Sequence, residues 1–337
     1  MLEALFSPWA NSRHILAAVS GGPDSLALLS MLAQWRQSVP DNRLPKISAA
    51  TVDHRLRPEA ADEASAVADF VRSLESEGCH IDHTILTWHH HNPTTRLQER
   101  ARQARYELLT DHAARIGADV VMTAHHADDQ AETILFRIIR GSGLAGLAGM
   151  SRERSSGPLV LARPLLSIRK DELIGWCRRR GIGWSDDPGN INPRFARSRM
   201  RALLPPLEKE GLGPREWARL ARRSARAEQA LDSIARSKAD RLFGDMASDA
   251  ISLDFRHLLD QPEEIALRVL VIAVERFEPL RPVRLERAEA LLDKLAMAAR
   301  TGQLHRATLG QARIALSPKG ILTLTRQAER RRGVTAT

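Results

Sequence analysis

The feature that most constrains this chain is a turn near its N-terminus, Ser20-Gly21-Gly22-Pro23-Asp24-Ser25, which directly follows the apolar run 14–19. The pattern predicts a buried strand, a tight turn and then a helix. Two glycines allow backbone conformations closed to other residues, so several N–H groups and the positive end of the helix can face one anion. Ser20 and Ser25 add hydroxyl donors, and Asp24 is placed to help hold a magnesium ion. The turn, here called the phosphate loop, matches neither a Walker loop nor a dinucleotide fingerprint.

Strands and helices alternate along the first half of the chain. Predicted strands cover 14–19, 47–52, 80–86, 118–124 and 159–166, and predicted helices cover 24–37, 59–77, 94–116, 127–140 and 169–180. Such alternation is typical of an α/β doubly wound parallel sheet covered on both faces, whose ligands bind at the carboxyl ends of the strands. The phosphate loop, Asp53-His54 and His125-His126 each follow a strand, so we expect them to converge at one edge.

Proline and glycine residues mark a change of organisation near residue 205. Pro205-Pro206 and 211–214 bracket a predicted linker, and a long helix follows at 215–243. Helices at 262–277 and 283–299 and a hairpin at 312–325 then predict a small α+β domain. We therefore predict a catalytic domain at 1–205, a linker and long helix at 206–243, a small C-terminal domain at 244–330 and a tail at 331–337.

Charge is unevenly distributed within the net +9 of the chain. Residues 1–150 hold 14 Lys and Arg against 18 Asp and Glu, whereas residues 151–205 hold 12 against 5 and residues 206–337 hold 24 against 18. Arg194, Arg197, Arg199 and Arg201 form the tightest basic group. A basic middle and end predict a polyanionic partner, and this arginine group is expected to follow an RNA backbone.

Composition also indicates the compartment. The two cysteines, Cys79 and Cys177, are too few for a disulfide framework. No stretch is long and apolar enough to span a bilayer, and the N-terminus lacks a secretory apolar region. We therefore expect a cytoplasmic protein with no membrane partner.

Histidine and acidic residues are concentrated after the strand at 118–124. His125 and His126 precede a predicted helix that carries Asp128, Asp129 and Glu132. Because Asp129 and Glu132 are three positions apart, they are expected to share a helix face. The trio His125, Asp129 and Glu132 suits a metal site, an acid–base site or a site for an ammonium group, and Asp128 suits a helix cap.

Four glycines lie within nine residues at 141–149. Glycine destabilises helices, so we predict a pliable loop where a bulky ligand approaches the backbone closely. We call Arg140–Met150 the glycine-rich segment.

These motifs together resemble those of one enzyme family. The phosphate loop resembles the PP-loop of ATP pyrophosphatases, which cleave ATP between its α and β phosphates. Combined with His125–Thr133 and the glycine-rich segment, it resembles the tRNA(Ile)-lysidine synthases. Further matching segments lie at 52–57, 101–106, 163–166, 186–190 and 197–201.

The resemblance implies a PP-loop fold of the adenine nucleotide α-hydrolase-like type and a ligation that uses ATP and Mg²⁺. The C2 oxygen of the wobble cytidine in isoleucine tRNA with a CAU anticodon attacks the α-phosphate and releases diphosphate. Free L-lysine then displaces AMP at C2, giving lysidine and changing the codon read from AUG to AUA. The small C-terminal domain is expected to bind tRNA, and a homodimer is compatible with the sequence.

Roles for individual residues also follow from the resemblance. Catalytic roles fall to Asp24, Arg105, Asp129 and Glu132, with Asp24 as the magnesium ligand. ATP binding falls to Ser20, Gly21, Gly22, Pro23, Asp24, Ser25, Asp53 and His54. Lysine binding falls to His125, Asp129 and Glu132, and any of these three is a candidate base for the lysine amine. Asp53 also fits a carboxylate that caps its own loop, and Trp184 or Phe195 is a candidate for stacking on the cytosine.

Three other functions fit parts of the pattern. A PP-loop tRNA thiolase would need paired reactive cysteines or an iron–sulfur cluster. Cys79 and Cys177 are 98 positions apart, and neither is expected in a loop next to the motifs. A PP-loop amidotransferase would need an ammonia source, and no glutaminase half is visible. A catalytically silent tRNA-binding module would not need Asp24, Asp129 and Glu132.

Overall fold

The structure is a computed structural model. It describes residues 1–38, 44–56, 60–76, 78–90, 97–185, 196–243, 250–277 and 283–327. The helices are α1 (Leu2–Phe6), α2 (Pro23–Ser38), α3 (Ala60–Ser76), α4 (Leu97–Ile116), α5 (Ala127–Ile139), α6 (Leu144–Leu147), α7 (Lys170–Arg179), α8 (Ala196–Lys209), α9 (Pro214–Phe243), α10 (Arg256–Leu259), α11 (Glu263–Glu275) and α12 (Leu285–Thr301). The strands are β1 (His14–Ala18), β2 (Lys46–Asp53), β3 (Asp82–Thr87), β4 (Val120–Met122), β5 (Glu153–Ser156), β6 (Leu159–Ala162), β7 (Ala250–Asp254), β8 (His305–Leu309), β9 (Ala312–Leu316) and β10 (Ile321–Arg326).

The chain divides into two compact units. The first comprises residues 1–140 and 148–222, and the second comprises residues 141–147 and 223–337. The division falls within α9, whereas the predicted boundary at 205 falls within α8. Among the described residues, no helix is both long and apolar enough to cross a bilayer.

The first unit is built on a six-stranded sheet with the order β3-β2-β1-β4-β6-β5. All neighbouring strands are parallel except β5, which pairs antiparallel with β6 at one edge. The predicted α/β doubly wound parallel sheet is therefore confirmed. Strand β5 was not predicted, because its four residues are all exposed and show no apolar alternation.

Helices cover both faces of this sheet. Ile15 and Ala17 of β1 belong to a core shared with α2 and α7, whereas Leu16 between them packs with Leu109 of α4. All three β1 residues are fully buried. A strand buried on both faces is uniformly apolar, which explains the run that precedes the phosphate loop.

The predicted linker at Pro205-Pro206 is wrong, because α8 continues through both prolines to Lys209. Proline normally disrupts a helix interior, since it lacks an N–H group and crowds the preceding turn. Here α8 packs against α5, and Met200 on α8 is buried. Tertiary packing therefore outweighs the local preference.

The second unit contains a four-stranded antiparallel sheet with the order β7-β10-β9-β8. The predicted hairpin is confirmed as β9 and β10, where Leu322 pairs with Leu316. Strands β7 and β8 extend it on either side. Helices α11 and α12 contribute Leu270 and Leu295 to the core beneath this sheet, and the predicted tail at 331–337 lies outside the described residues.

Candidate active site

The phosphate loop is held in shape by its own side chains. The Ser25 hydroxyl accepts a hydrogen bond from the Ser20 N–H at 3.0 Å and donates one to the Gly22 carbonyl at 3.0 Å. Gly21 has a φ of +79°, which L side chains rarely adopt. Helix α2 begins at Pro23, so its unsatisfied N–H groups lie at the end of the loop. The loop is thus preformed for an anion.

A cleft of about 220 Å³ opens beside the loop at the carboxyl ends of β1, β2 and β4. Its lining includes Ser20, Gly22, Asp24, Ser25, Val52, Arg102, Arg105, Tyr106, Thr123, His125, Asp129 and Arg197. The phosphate loop and His125 therefore meet, as their positions after strands predict. We call this space the nucleotide cleft.

Asp53 and His54 are not among the residues that line the cleft. The Asp53 carboxylate accepts a hydrogen bond from the Arg55 N–H at 2.8 Å, which is the loop-capping arrangement. His54 contacts Arg105, which does line the cleft. The guanidinium nitrogens Nε and Nη2 of Arg105 lie 3.3 Å and 3.1 Å from His54 Nε2.

The bond between Arg105 and His54 fixes the histidine tautomer. A guanidinium only donates hydrogen bonds, so His54 Nε2 must carry a lone pair and the imidazole proton lies on Nδ1. Burial, followed by the Arg105 charge, lowers the pKa of His54 to about 4, so the ring is neutral near pH 7. The Trp88 indole contacts this ring edge-on, with centroids 6.0 Å apart. His54 is therefore a fixed acceptor that orients Arg105.

Given the catalytic role that the resemblance implies for Arg105, we expect His54→Ala to reduce turnover about ten- to a hundredfold with little change in ATP affinity, because a misplaced Arg105 would cost rate rather than binding. His54→Gln, whose side-chain carbonyl also accepts hydrogen bonds, should retain more activity. The coupling between His54 and Arg105 is measured by steady-state kinetics of His54→Ala, Arg105→Ala and the variant that carries both substitutions. Fully additive losses in the double variant would contradict the positioning role.

Asp24 has one carboxylate oxygen without a partner. Oδ2 lies 3.5 Å from His126 Nε2, whereas the buried Oδ1 makes no hydrogen bond in the described structure. Mg²⁺ commonly binds one or two carboxylates together with substrate phosphates and water. Among the described residues, no group of three or more His, Cys, Asp or Glu is arranged to hold a metal. The free oxygen beside the phosphate loop fits a magnesium ion that takes its other ligands from phosphates and water.

His126 lies at the centre of the acidic group and is only 2 % exposed. Its ring nitrogens lie 3.5 Å from Asp24, 3.5 Å from Asp128 and 3.4 Å from Asp129. Burial alone lowers its pKa, but these carboxylates together raise the pKa of His126 to about 10. The imidazolium links the phosphate loop to α5. Sequence reasoning gave His126 no role, although its place directly before an acid-rich helix was the available signal.

His125 has the opposite protonation state. Burial, together with the charges of Arg163, Arg102 and Arg197, lowers the pKa of His125 to about 4 despite the nearby Asp129. Its Nδ1 lies 2.8 Å from the Thr123 hydroxyl. A neutral imidazole therefore lines the nucleotide cleft beside a carboxylate.

Glu132 does not line the nucleotide cleft. Its carboxylate is 3 % exposed and lies 2.6 Å from Arg201 Nε. Burial raises the pKa of Glu132, and Arg201 acts against that rise. Both residues line a second cavity of about 130 Å³, together with Asp128 and Trp217. The predicted shared face of Asp129 and Glu132 thus opens into two spaces. The predicted RNA-binding residue Arg201 is paired with the Glu132 carboxylate, and its side chain is 40% exposed.

The other predicted RNA-binding arginines differ in position. Arg197 is exposed and lines the nucleotide cleft, and Arg199 is exposed on α8. Arg194 lies outside the described residues, as does Phe195.

The aromatic residue in the nucleotide cleft is one that sequence reasoning did not single out. Trp184, named as a stacking candidate, packs against the core. Tyr106, the chain's single tyrosine, lines the cleft instead, and the Arg102 guanidinium lies 5.1 Å from its ring centroid. Its place directly after Arg105 was the available signal.

The glycine-rich segment is more ordered than predicted, since Leu144–Leu147 forms a single helical turn. Its C-terminal end is fixed to α5 by Gln130, which donates to the Met150 carbonyl at 2.9 Å and accepts from the Met150 N–H at 2.7 Å. Arg137 donates to the Gly149 carbonyl at 2.8 Å. A Cβ atom at Gly149 would lie 2.7 Å from the Gln130 amide oxygen. Glycine is therefore required here for a close approach.

We expect Gly149→Ala to destabilise the protein by about 2–4 kcal/mol, because it adds this clash to the strain of a positive φ. Gly157→Ala is the matched control: it has a similar φ of +59° but open space around the added methyl, so the loss should be about 1–2 kcal/mol. Chemical denaturation measures both. Equal losses of stability in the two variants would show that the close contact with Gln130 adds nothing to the cost of Gly149→Ala.

Both cysteines are structural. Cys79 and Cys177 are buried free thiols, and burial raises the pKa of Cys177 to about 11. A thiol in this state is a poor nucleophile. The described structure thus offers no support for sulfur transfer through these cysteines.

Comparisons with known proteins agree with the geometry. Residues 1–208 match the family model of the PP-loop domain. A tRNA(Ile)-lysidine synthase from Bradyrhizobium sp. strain BTAi1 is 42% identical over 98% of this chain and 95% of its own length. One from Methylobacterium nodulans is 45% identical over 95% of this chain and 92% of its own.

A solved structure shows the same fold. The U34-tRNA thiolase NcsA from Methanococcus maripaludis, with its [4Fe-4S] cluster, aligns with a TM-score of 0.55 at 18% identity, covering 67% of this chain and 76% of that one. Identity at this level indicates a shared fold only. With the two sequence relatives and the PP-loop match, the phosphate loop and the cleft beside it show that this chain belongs to the tRNA(Ile)-lysidine synthase family.

Proposed function

We propose that this chain ligates free L-lysine to C2 of the wobble cytidine of isoleucine tRNA with a CAU anticodon, through an adenylated tRNA. The observation that carries the proposal is the nucleotide cleft itself. There the phosphate loop, Arg105 and the pair His125–Asp129 face one space. An anion site and an ammonium site side by side suit the joining of an ATP-activated base to an amine.

In the first step, the cytosine O2 forms a bond to the α-phosphorus while the bond to the bridging oxygen breaks and diphosphate leaves. The N–H groups of the phosphate loop and the start of α2 stabilise the negative charge on the leaving group. Asp24 would hold Mg²⁺ through its free Oδ1, and the ion would neutralise phosphate charge. Arg105, oriented by His54, contributes a fixed cation to the lining of the same cleft.

In the second step, the lysine ε-amine attacks C2, and the C2–O2 bond breaks so that AMP leaves with the oxygen. Asp129 receives the ammonium group in the cleft, and a base takes one of its protons before attack. Of the three candidate bases, Asp129 and neutral His125 line the nucleotide cleft. Glu132 would act from the adjoining cavity, where it would have to exchange Arg201 for the amine.

The RNA is expected to enter over the arginine-lined wall. Arg102 and Arg197 line the cleft, and Arg199 lies exposed on the same helix as Arg197. Arginine contacts to phosphates position an RNA without identifying it. Tyr106 is the aromatic ring in the cleft available to stack on an unpaired base. We expect the enzyme to act in the cytoplasm, where tRNA, ATP and free lysine meet.

Transfer of labelled lysine tests the proposal. With ATP and magnesium, label should appear on isoleucine tRNA with a CAU anticodon and not on methionine tRNA with the same anticodon. The bond should survive mild base that removes aminoacyl esters. Release of AMP without any label on tRNA would assign the cleft to another nucleophile.

A further inference from the structure

A buried arginine, Arg163, lies at the same edge of the first unit's sheet as the nucleotide cleft. It directly follows β6, whereas Thr123, which lines the cleft, directly follows the neighbouring parallel strand β4. The Thr123 N–H donates to the carbonyl of Ala162, the residue before Arg163, at 3.0 Å. Arg163 is only 7 % exposed. A cation is therefore buried beside the residues that line the cleft.

Arg163 is not neutralised by a carboxylate. Its Nη1 donates to the Ser151 carbonyl at 2.9 Å, and its buried Nε has no hydrogen-bond partner. Among the described residues, no ion pair joins it to an Asp or Glu side chain. Arg268 of the second unit differs, because its guanidinium pairs with Glu228 and Glu264, both at 2.7 Å. Burying an unpaired charge costs free energy, so a group that retains one is a candidate for a role in binding an anion.

The Arg163 side chain is hydrogen-bonded to the Tyr106 hydroxyl. Burial lowers the pKa of Arg163, and its contact with Tyr106 acts against that fall. A second guanidinium reaches the same hydroxyl, because Nη2 of Arg102 lies 3.4 Å from the Tyr106 oxygen. Arg102 precedes Tyr106 by about one turn of α4, and its guanidinium lies 5.1 Å from the ring centroid. Two arginines, one from α4 and one from the end of β6, thus hold one phenol.

This arrangement leaves the hydroxyl proton of Tyr106 without an acceptor. A guanidinium only donates hydrogen bonds, so the phenol oxygen accepts from both arginines and its own proton remains to be donated. In the part of the chain that the structure describes, no side chain or carbonyl accepts this proton. Tyr106 is half-buried and lines the nucleotide cleft. The hydroxyl is therefore an oriented donor that a bound substrate can satisfy.

The charge beside this hydroxyl indicates which acceptor fits. Burial lowers the pKa of His125 in the cleft lining, and the charges of three arginines lower it further: Arg163, Arg102 and Arg197. The carboxylate of Asp129 acts the other way. Three cations against this carboxylate give the surroundings of His125 a net positive charge, which favours an anionic ligand. Hydrogen bonds to anionic oxygens are stronger than those to neutral ones, and phosphate oxygens are the anionic oxygens that ATP and tRNA share.

We propose that the Tyr106 hydroxyl donates a hydrogen bond to a phosphate oxygen of a substrate in the nucleotide cleft, and that Arg163 is the positioning residue that holds the hydroxyl for this bond. The inference rests on the proposed function, because ATP and tRNA are the two sources of such a phosphate there. It adds a polar contact to the stacking that the Tyr106 ring offers. The phenol keeps its proton in this role, and the bond helps to place the phosphate for reaction.

Two substitutions remove the two parts of this contact. Tyr106→Phe deletes the hydroxyl and keeps the ring, and Arg163→Met deletes the buried charge and keeps an apolar stem. Each should slow adenylation of the tRNA by about ten- to a hundredfold, as expected for the loss of one hydrogen bond to a charged group. The variant that carries both substitutions should be no slower than the slower single variant, because each removes the same bond. Arg163→Lys, which keeps the charge, should retain more activity than Arg163→Met.

Arg180→Gln is the matched control. Arg180 also belongs to the first unit and lies over an aromatic ring, 4.5 Å from the centroid of Trp176, but it does not line the cleft. Adenylation by this variant should match the wild type. Thermal unfolding reports whether Arg163→Met remains folded, and Tyr106→Phe tests the contact with both arginines in place. An unchanged rate in Tyr106→Phe, or losses in the two single variants that add in full, would overturn the inference.

Tyr106 is the chain's single tyrosine, which permits a spectroscopic test. Protein that contains 3-fluorotyrosine should give one ¹⁹F resonance. Arg163→Met should move this resonance in the free protein, and Arg180→Gln should not. A shift with ATP that is absent with adenosine would assign the phosphate to ATP. A shift with isoleucine tRNA alone, together with a raised KM for tRNA in Tyr106→Phe, would assign it to the RNA, whereas no shift with either ligand would overturn the proposal.

Failure of the proposed function would look different. A wild-type protein that transfers no lysine, but whose ¹⁹F signal responds to ATP and not to adenosine, would keep the phosphate contact and remove the reaction. Lysidine formation at the wild-type rate by Tyr106→Phe would remove the phosphate contact alone.

Discussion

Asp129→Asn is expected to lower lysine transfer by about 10³-fold while the ATP-dependent adenylation of tRNA continues. The Asp129 carboxylate lines the nucleotide cleft, where we propose that it receives the lysine ammonium group. It also accepts the His126 N–H at 3.1 Å, and the asparagine oxygen preserves that helix cap. The loss of lysine transfer should therefore result from removal of the charge and not from a change in the fold of α5.

Asp128→Asn is the matched control for this prediction. It removes the same charge one residue earlier, from a carboxylate that lines the second cavity and accepts the Lys170 N–H at 2.9 Å. Lysine transfer should fall less than about tenfold. The measurement is single-turnover formation of adenylated tRNA and of lysidine, followed separately. Equal loss of both steps in Asp129→Asn would remove Asp129 from the lysine site.

Asp24→Asn should slow the first step, adenylation of the tRNA, by about 10²–10³-fold. The variant removes the negative charge of this carboxylate and replaces one of its two oxygens with an NH₂ group, which weakens the site that fits magnesium. Lysidine formation should fall equally, because it depends on the adenylate. Raising the magnesium concentration should recover part of the rate, and diphosphate release reports it.

Asp53→Asn is the control for Asp24. Its carboxylate caps the loop through the Arg55 N–H and does not line the cleft, so adenylation should change by less than about tenfold. An equal loss of adenylation in Asp24→Asn and Asp53→Asn would contradict the role of Asp24 in that step. A defect confined to lysine transfer in Asp24→Asn would also contradict the assignment.

Elements defined by neighbouring residues could be predicted from the sequence. The apolar run before the phosphate loop indicated a strand buried on both faces, and Ile15, Leu16 and Ala17 are fully buried. Two glycines and a following apolar run indicated the turn and α2. Because parallel strands end at one edge, the meeting of the phosphate loop with His125 could also be predicted.

Features that depend on distant partners could not be predicted. Helical spacing placed Asp129 and Glu132 on one helix, and both lie on α5. The ion pair of Glu132 with Arg201 could not be predicted, because Arg201 lies on α8, 69 positions away. The continuation of α8 through Pro205-Pro206 likewise reflects packing against α5, which local propensity does not contain. His125 is neutral whereas His126 is cationic, and this difference arises from their surroundings, because the two residues are adjacent and chemically identical.

The most direct test of the account is a pulse and chase of the adenylated tRNA. Isoleucine tRNA with a CAU anticodon is incubated with the enzyme and ATP labelled at the α-phosphate, first without lysine. The account predicts labelled AMP bound to the tRNA, and added lysine should release that AMP while one lysine joins the tRNA for each AMP released. Lysine attachment without any prior label on the tRNA, or AMP on the tRNA that lysine does not displace, would contradict a shared adenylate in the nucleotide cleft.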